Sequence, residues 1–381
     1  MENNEFFPKA KGKLGFGIMR LPMKDGAVDF DLVTEMVDAY MAAGYNYFDT
    51  AHGYLDGASE EAVRRCLTSR YPRESYVLTD KLTDSFIKKP EDVRAVFEDQ
   101  LKACGVEYFD FYLLHAVRKQ IYDYFNSMNS IETIHELMEE GKIKHFGISF
   151  HDTAEMLDIV LTEHPEIEFV QMQLNYLDYD DVSIQSGKVY EMAKKHGKPI
   201  VIMEPVKGGN LHKLSPEAAA AFDKLGKDCS YASYAVRFAA CRDDLFMMLS
   251  GMSDMEQMLD NIKTFEDLKP LDEAELAAKD EVIRVIKSKG TIPCTACRYC
   301  TAGCPQKINI PALFATYNNQ QIEDIWRNEY YYRINIAHGG KASDCIKCGA
   351  CEAACPQGIQ IRDMLEKVAD TFENWDAHHQ E

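Results

Sequence analysis

Apolar residues along the chain form eight short runs that alternate with longer amphipathic stretches. The runs begin at Leu14, Tyr45, Tyr76, Asp110, Lys144, Phe169, Pro199 and Leu245. Each run is rich in β-branched or aromatic residues, whereas the stretches between them repeat apolar residues at helical spacing. Strands that alternate with helices form a parallel sheet, and eight such units close a barrel. The pattern therefore predicts an α/β fold built on a (β/α)8 TIM barrel.

The stretches between the runs also carry signals for the ends of helices. The segment PEDVRAVFEDQLKACG begins with Pro90 and ends at Gly105, as helices commonly do. An open, doubly wound sheet is the alternative arrangement, but it requires a glycine fingerprint after its first strand. No GxGxxG motif follows any of the runs, so we favour the barrel.

Cysteines divide the chain into two regions. Four of the twelve are scattered, and the other eight fall between Cys294 and Cys355. Between these regions, Asp272 followed by Glu275 is typical of the start of a helix. We therefore expect a barrel over residues 1–268, a helical connector over residues 269–290 and a small cysteine-rich module over residues 291–381.

Composition and charge exclude several classes of function. The 381 residues include 42 Lys and Arg against 62 Asp and Glu, a formal net charge of −20, which argues against nucleic acid as a partner. We find no run of eighteen apolar residues and no export signal, so we expect a cytoplasmic protein without a membrane span. Cysteines in that compartment stay reduced, which favours metal or redox chemistry over disulfides.

Two copies of one motif contain the clustered cysteines. The pattern CxxCxxCxxxCP occurs twice, at Cys294, Cys297, Cys300 and Cys304 and again at Cys345, Cys348, Cys351 and Cys355. Three thiolates at this spacing can bind one face of an iron–sulfur cubane, with a fourth thiolate from elsewhere in the chain. Zinc is the alternative, but it usually takes cysteines in separated pairs. The spacing favours two [4Fe–4S] clusters.

The doubled motif resembles that of the bacterial two-cluster ferredoxins, in which the fourth cysteine of each motif binds the other cluster. This resemblance implies one cluster on Cys294, Cys297, Cys300 and Cys355, and another on Cys345, Cys348, Cys351 and Cys304. Forty residues separate Cys304 from Cys345 and have a helical pattern. We therefore expect a small, mostly α-helical, ferredoxin-like domain.

Four polar residues stand at or just after the ends of three successive predicted strands. Asp49 ends the second, Tyr54 follows it in DTAHGY, Lys81 ends the third and His115 ends the fourth. Reactive groups of α/β barrels come from these strand ends. A tyrosine has a reference pKa of about 10, so a neighbouring cation such as Lys81 is needed for it to exchange protons near neutrality.

These residues and their surroundings resemble the aldo-keto reductase family. The resemblance covers about residues 12–265 and includes GFGIMRLP, NYFDTAHGY, DFYLLH, HFGIS, VQMQLNYL, MEPVKGG and LSGMSDMEQMLDN. It implies reduction of a carbonyl by a nicotinamide, or oxidation of the matching alcohol. Tyr54 would protonate the developing alkoxide, with help from Lys81, Asp49 and His115.

The same resemblance implies a binding site for NAD(P)H. The residues implied are Ser149 and Gln171 for the carboxamide, Lys207, Gly208 and Gly209 for the pyrophosphate, and Gln257 and Asn261 for the adenine side. Four positions depart from the family. Phe150 stands where an asparagine usually follows the serine. Met203 stands where many members stack an aromatic ring on the nicotinamide. Gly251 and Gln257 stand near the places of the basic pair that often binds the 2′-phosphate.

Two hypotheses follow. In the first, the protein is an NAD(P)H-dependent oxidoreductase of small carbonyl or alcohol substrates with an appended dicluster domain. In the second, it is an iron–sulfur electron carrier whose barrel has lost nicotinamide binding, as Phe150 and Met203 suggest. A hydride carries two electrons and a cluster passes one, so an exchange between them needs a flavin or a radical step. The clusters would then be structural or serve a flavin-containing redox partner.

Overall fold

The computed structural model describes residues 6–181, 184–322, 326–337 and 339–375. The chain forms two compact units. The first comprises Met1–Val206 and Ala232–Leu271, and the second comprises Lys207–Tyr231 and Asp272–Glu381. Within the described residues, no helix has the length and apolar character required to cross a membrane.

The first unit is a closed barrel of eight parallel strands. Ten strands are found in the part of the chain that the structure describes, and eight of them form the barrel. In chain order they are β1 (Leu14–Gly17), β2 (Met23–Lys24), β3 (Ala27–Val28), β4 (Tyr47–Asp49), β5 (Val77–Leu82), β6 (Phe109–Val117), β7 (Ile143–Phe150), β8 (Phe169–Gln173), β9 (Ile200–Met203) and β10 (Leu245–Ser250). The barrel runs in the order β1, β10, β9, β8, β7, β6, β5 and β4, and β1 pairs with β4 to close it. The short strands β2 and β3 form a separate antiparallel hairpin.

All eight predicted runs contain a barrel strand, so the (β/α)8 prediction is confirmed. The reason is burial on both faces, because strands covered by helices outside and side chains inside are almost continuously apolar. Inside the barrel, Phe111 and Phe169 belong to a buried aromatic cluster. Phe6 and Phe7 pack against this cluster, with the ring of Phe7 centred 4.9 Å from that of Phe111.

Helices follow the strands and continue into the second unit. They are α1 (Phe30–Ala42), α2 (Ala58–Ala62), α3 (Glu91–Cys104), α4 (Lys119–Ser127), α5 (Ser130–Glu139), α6 (Ala154–Glu163), α7 (Ser186–Lys195), α8 (Pro216–Asp223), α9 (Tyr231–Ala240), α10 (Met255–Glu266), α11 (Glu273–Ser288), α12 (Tyr299–Ala302), α13 (Ile310–Ile322), α14 (Trp326–Ile336), α15 (Ala350–Ala353) and α16 (Ile361–Glu373). Helix α3 ends at Gly105 in a left-handed conformation, as its sequence predicts.

The second unit is helical and has its own apolar core. Helix α11 begins with a capping box, in which Asp272 and Glu275 each accept a hydrogen bond from the other's backbone. The core joins α13, α14 and α16, and the rings of Tyr332 and Phe372 stack with centroids 4.9 Å apart. This unit also includes the segment Lys207–Tyr231, which follows β9 along the chain. The sequence-based domain boundaries, which place this segment in the barrel, stay a prediction.

Candidate active site

The four strand-end residues predicted from the sequence come together at one end of the barrel. Asp49 is the last residue of β4, Lys81 lies near the end of β5, and His115 lies near the end of β6. Tyr54 follows β4 by five residues and begins a short 3-10 turn. Neighbouring parallel strands carry the first three side chains to the same rim, which explains why the group assembles.

Lys81 and Asp49 form a buried ion pair. The Lys81 ammonium is fully buried and lies 2.6 Å from Asp49 Oδ1 and 2.6 Å from the backbone oxygen of Thr50. Burial raises the pKa of Asp49, while Lys81 and the side chain of Gln171 act in the opposite direction. The pair therefore fixes a cation below Tyr54, with Lys81 Nζ 5.2 Å from the centroid of the phenol ring.

Tyr54 and His115 meet through their polar atoms. The Tyr54 hydroxyl lies 3.2 Å from His115 Nε2. Burial lowers the pKa of His115 well below its usual range, and Lys81 and His151 lower it further. The imidazole is therefore neutral at pH 7, and one of its two ring nitrogens carries a hydrogen.

Thr83 holds the other side of the His115 ring, a contact that the sequence analysis missed. Its Oγ1 lies 2.8 Å from His115 Nδ1 and also 3.3 Å from the backbone oxygen of His52. A hydroxyl in this position fixes the ring orientation and the tautomer of the histidine. The available signal was spacing, because Thr83 follows Lys81 by two residues and alternate strand residues share a face.

A strained turn carries Tyr54 over the barrel end. Gly53 has a φ of 87°, and a Cβ at this position would lie 2.9 Å from the ring of Phe86. Leu55 and Asp56 also adopt left-handed φ angles of 52° and 54°. Non-glycine residues in this region cost about 1–3 kcal/mol each, and such strain is common at functional sites. Tyr54 itself is partly exposed.

A group of buried acids lies directly behind the ion pair. Glu60, Asp80 and Cys104 place one ligand atom each within 4.8 Å of the others. Burial raises the pKa of Asp80 well above its usual range, and Glu60 raises it further. The Cys104 thiol donates to Asp80 Oδ2 across 3.6 Å. Glu60 Oε1 also lies 3.0 Å from Nδ1 of His52.

Ser149 and Gln171, the predicted carboxamide ligands, are neighbours on adjacent strands. They are directly paired in the register between β7 and β8, and both are buried. Gln171 Oε1 is buried without a hydrogen-bond partner. An unpaired buried acceptor is costly unless a ligand supplies a donor. Such an acceptor fits the amide group of a nicotinamide.

The predicted adenine-side residues lie on α10. Asn261 Nδ2 donates to Ser250 Oγ at 3.1 Å, at the end of β10. The Gln257 side chain donates to Asp254 Oδ2 at 2.8 Å and accepts from Ser253 N at 3.0 Å. Both ends of the Gln257 amide therefore stabilise the start of the helix.

Arg20 is a cation that the sequence analysis did not associate with this region. Its side chain packs beside Gly251, where the missing Cβ would lie 3.4 Å from Arg20 Cδ. Its backbone oxygen accepts from Ser253 Oγ at 3.0 Å. The two positions are far apart in the chain, so no local pattern indicates that they meet.

Three other predicted nucleotide ligands belong to the second unit. Lys207 is fully buried, and its Nζ donates to Gln357 Oε1 at 3.0 Å. A Cβ on Gly208 would lie 2.7 Å from the backbone oxygen of Thr295, whereas Gly209 has no such neighbour within 4 Å. Lys207 and Gly208 therefore contact residues of the cysteine-rich module, and their role as pyrophosphate ligands stays a prediction.

The departures from the family pattern have ordinary packing roles. Phe150 is buried in the main core between the barrel and its helices. Met203 ends β9 and packs against the aromatic cluster inside the barrel.

Four cysteines from both motifs lie together in what we call the first cysteine site, defined by Cys294, Cys297, Cys300 and Cys355. Burial raises the pKa of the Cys300 thiol, and the thiols of Cys297, Cys294 and Cys355 raise it further. The backbone of Ala296 donates to Cys294 Sγ at 3.4 Å. This grouping matches the ligand set that the ferredoxin resemblance implies.

The other four cysteines form what we call the second cysteine site. Cys304, Cys345, Cys348 and Cys351 line one cavity of about 310 Å3, counting its open mouth. Ile308 and Leu365 add apolar walls. The side chain of Cys348 is exposed.

The two motifs share the same unusual backbone conformations. Left-handed residues recur at matching positions of the two motifs, namely Ala296 and Lys347, Arg298 and Gly349, and Lys307 and Gly358. Four of these six residues are not glycine, so the chain accepts backbone strain at these positions. Short helices also recur, as α12 and α15. The duplicated sequence is therefore a duplicated structure, and both copies fit an iron–sulfur cluster.

Comparisons with known proteins match two separate stretches of the chain. A family model described as the aldo/keto reductase family matches residues 13–284. A second model, described as a 4Fe-4S dicluster domain, matches residues 293–359. The two matched stretches follow one another along the chain without overlap.

Individual relatives are distant but cover the barrel well. The chain is 24% identical over 297 residues to the L-galactose dehydrogenase of Arabidopsis thaliana, which covers 72% of this chain and 91% of that protein. It is 22% identical over 297 residues to the NADH-specific methylglyoxal reductase of Escherichia coli, with 66% and 88% covered.

Solved structures share the fold. An aldo-keto reductase of Bacillus halodurans in its holo form has a TM-score of 0.57 at 23% identity, covering 71% of this chain and 91% of that one. An aldo-keto reductase of Klebsiella pneumoniae in complex with NADPH has a TM-score of 0.56 at 20% identity, covering 71% and 90%. With a family model matched over most of its length, the chain belongs to the aldo/keto reductase family.

Proposed function

We propose that the barrel reduces a small carbonyl compound, or oxidises the matching alcohol, with NAD(P)H, and that the C-terminal module holds two [4Fe–4S] clusters. The observation that carries the proposal is the Tyr54 hydroxyl, held 3.2 Å from His115 Nε2 above the buried Lys81 ammonium. A phenol, a cation and a neutral imidazole in this arrangement can move one proton to or from a substrate oxygen.

The proton transfer follows from these contacts. Reduced nicotinamide, when bound, supplies a hydride, which brings two electrons to the carbonyl carbon. The Tyr54 O–H bond then breaks, and its proton passes to the substrate oxygen. Lys81 stabilises the phenolate that remains, and Asp49 keeps the lysine in place at 2.6 Å. His115 positions the substrate oxygen next to the hydroxyl.

Residues of the barrel fit a nicotinamide in part. The unpaired Gln171 Oε1 supports a carboxamide at the β8 rim, next to Ser149. On the adenine side, Asn261 and Gln257 lie on α10, and Arg20 provides a cation beside Gly251. The nucleotide contacts of this proposal within the barrel unit are these residues.

The eight cysteines of the doubled motif fit iron–sulfur clusters. Thiolates are the ligands that such clusters take, and apolar surroundings with backbone N–H groups near the sulfurs set their potentials. We assign Cys294, Cys297, Cys300 and Cys355 to one cluster and Cys304, Cys345, Cys348 and Cys351 to the other. The clusters would exchange single electrons with a redox partner protein or would only stabilise the module.

A Tyr54→Phe variant tests the assigned acid. The full-length protein, purified anaerobically, is assayed with a panel of small aldehydes and NAD(P)H. General acids contribute about 10²–10⁴-fold, so we expect at least about a hundredfold loss of kcat. Tyr71→Phe is the matched control, because it removes a hydroxyl that donates to Asp38 outside the site. Equal turnover in Tyr54→Phe and wild type would discard the assignment.

A second function, electron transfer without nicotinamide binding, is favoured by one observation. Lys207 and Gly208, which would contact a pyrophosphate, are covered by Gln357 and Thr295. Calorimetric titration with NADPH and NADH separates the two functions. Saturable binding of either nucleotide, weakened by Gln171→Leu, supports the reductase. No binding of either nucleotide to iron-loaded protein supports the carrier.

A further inference from the structure

The loop that follows β9 is part of the first cysteine site. Lys207 Nζ donates to Gln357 Oε1 at 3.0 Å, and Gln357 follows Cys355 by two residues. Asn210 Nδ2 donates to the backbone oxygen of Cys294 at 3.1 Å. The loop therefore contacts both segments of chain that supply the thiols of this site.

Gly208 brings the same loop against the turn between the first two cysteines. Its φ is 64°, and an added Cβ would lie 2.7 Å from the oxygen and 3.0 Å from the Cα of Thr295. Thr295 follows Cys294 directly and is itself buried. The glycine is required here because no side chain has room between the two backbones.

The loop delivers a buried positive charge. Among the lysines that the structure describes, two are buried, Lys81 and Lys207. A buried ammonium carries a large desolvation cost, which a methionine of similar length would not carry. A purely structural contact does not need that charge, which points to an electrostatic role for Lys207.

We propose that Lys207 raises the reduction potential of the iron–sulfur cluster held by Cys294, Cys297, Cys300 and Cys355. Reduction adds one electron to the cluster and makes it more negative by one charge. A cation in low-dielectric surroundings stabilises the more negative state more strongly. The inference rests on the proposed function in one respect, because it needs a cluster at the first cysteine site.

Potentiometric titration followed by electron paramagnetic resonance tests this role in the full-length, anaerobically loaded protein. Lys207→Met removes the charge, Lys207→Arg keeps it, and Lys287→Met removes the charge of an exposed lysine in the same unit. We expect Lys207→Met to move one of the two midpoint potentials to a more negative value. The other midpoint should not move, and Lys207→Arg and Lys287→Met should match wild type.

Gln357→Glu provides a second variant in case Lys207→Met loads iron poorly. It places a carboxylate next to the ammonium, which should shift the same midpoint in the same direction while retaining the contact. Unchanged midpoints in fully loaded Lys207→Met would overturn the proposal. Loss of iron from both Lys207→Met and Gln357→Glu would also overturn it, because Lys207 would then be a structural contact.

The outcome for wild type separates this inference from the proposed function. Wild-type protein without iron or a cluster signal would contradict the two-cluster assignment itself. Wild-type protein with two clusters, together with unshifted variants, would contradict only the role of Lys207.

Discussion

Removing the Lys81 charge should damage stability and catalysis by separate and measurable amounts. The Lys81 side chain is 0% exposed and that of Asp49 is 5% exposed. Lys81→Met leaves the Asp49 carboxylate buried without its cation, and breaking such a pair costs about 3–5 kcal/mol. Since burial already raises the pKa of Asp49, removing the cation should raise that pKa further.

The effect on catalysis can be worked from the position of the ammonium. At 5.2 Å from the Tyr54 ring centroid, a unit charge stabilises a phenolate by about 3 kcal/mol at an effective dielectric constant of about 20. Asp49 offsets part of this field. With about 1.4 kcal/mol per pH unit, the basic limb of alcohol oxidation should move to higher pH by about one to two units. The rate at pH 7 should fall about 10- to 100-fold.

The assay is the pH dependence of alcohol oxidation, combined with unfolding measurements. Asp49→Asn/Lys81→Met should recover most of the stability, because both charges are removed together, but it should not recover the rate. Lys9→Met is the control. It removes one of two cations from Asp110, 2.9 Å away near the start of β6, and Arg73 still pairs with that carboxylate at 2.8 Å.

The control should lose some stability and keep the wild-type pH profile. A Lys81→Met enzyme with a wild-type pH profile and rate would refute the reasoning. So would a double variant whose rate returns together with its stability, because Lys81 would then act only through folding.

Three further predictions concern other parts of the molecule. Asp80→Asn should gain stability relative to wild type as pH rises from 5 to 7, by up to about 1.4 kcal/mol per pH unit, because the raised pKa of Asp80 keeps a proton in the folded state that the unfolded chain releases above about pH 4; a pH-independent difference in chemical unfolding would contradict this. Gly208→Ala should reduce iron content, because its Cβ meets Thr295, whereas Gly303→Ala has open space and should load normally; equal iron in both would contradict the packing. Gln171→Leu should raise the KM for NAD(P)H about 5- to 100-fold, because the variant lacks the Oε1 acceptor for the carboxamide. An unchanged KM would show that Gln171 is not part of the nucleotide site.

The barrel, and the positions of three candidate site residues at its strand ends, could be predicted because their signals are local. Parallel strands buried on both faces give apolar runs, and the chain places Asp49, Lys81 and His115 where those runs end. The proximity of these three side chains then follows from the strand order, because β4, β5 and β6 are neighbours in the sheet.

Contacts between distant parts of the chain could not be predicted in this way. Lys207 and Gln357 are 150 positions apart, and nothing in the sequence around either indicates that they meet. The left-handed conformations of Ala296 and Arg298 are also absent from the sequence pattern, because a glycine usually marks such positions. The Thr83 contact depends on a rotamer that strand spacing permits but does not determine.

Isotope transfer tests the central claim most directly. The anaerobically loaded protein is mixed with an aldehyde substrate and NADPH carrying deuterium in the transferable position, and the cluster absorbance is followed during turnover. We predict one deuterium on the alcohol carbon for each product molecule, no change in the cluster absorbance, and at least about a hundredfold slower product formation by Tyr54→Phe. An alcohol without deuterium, formed while the cluster absorbance bleaches, would contradict direct hydride transfer at the Tyr54 site.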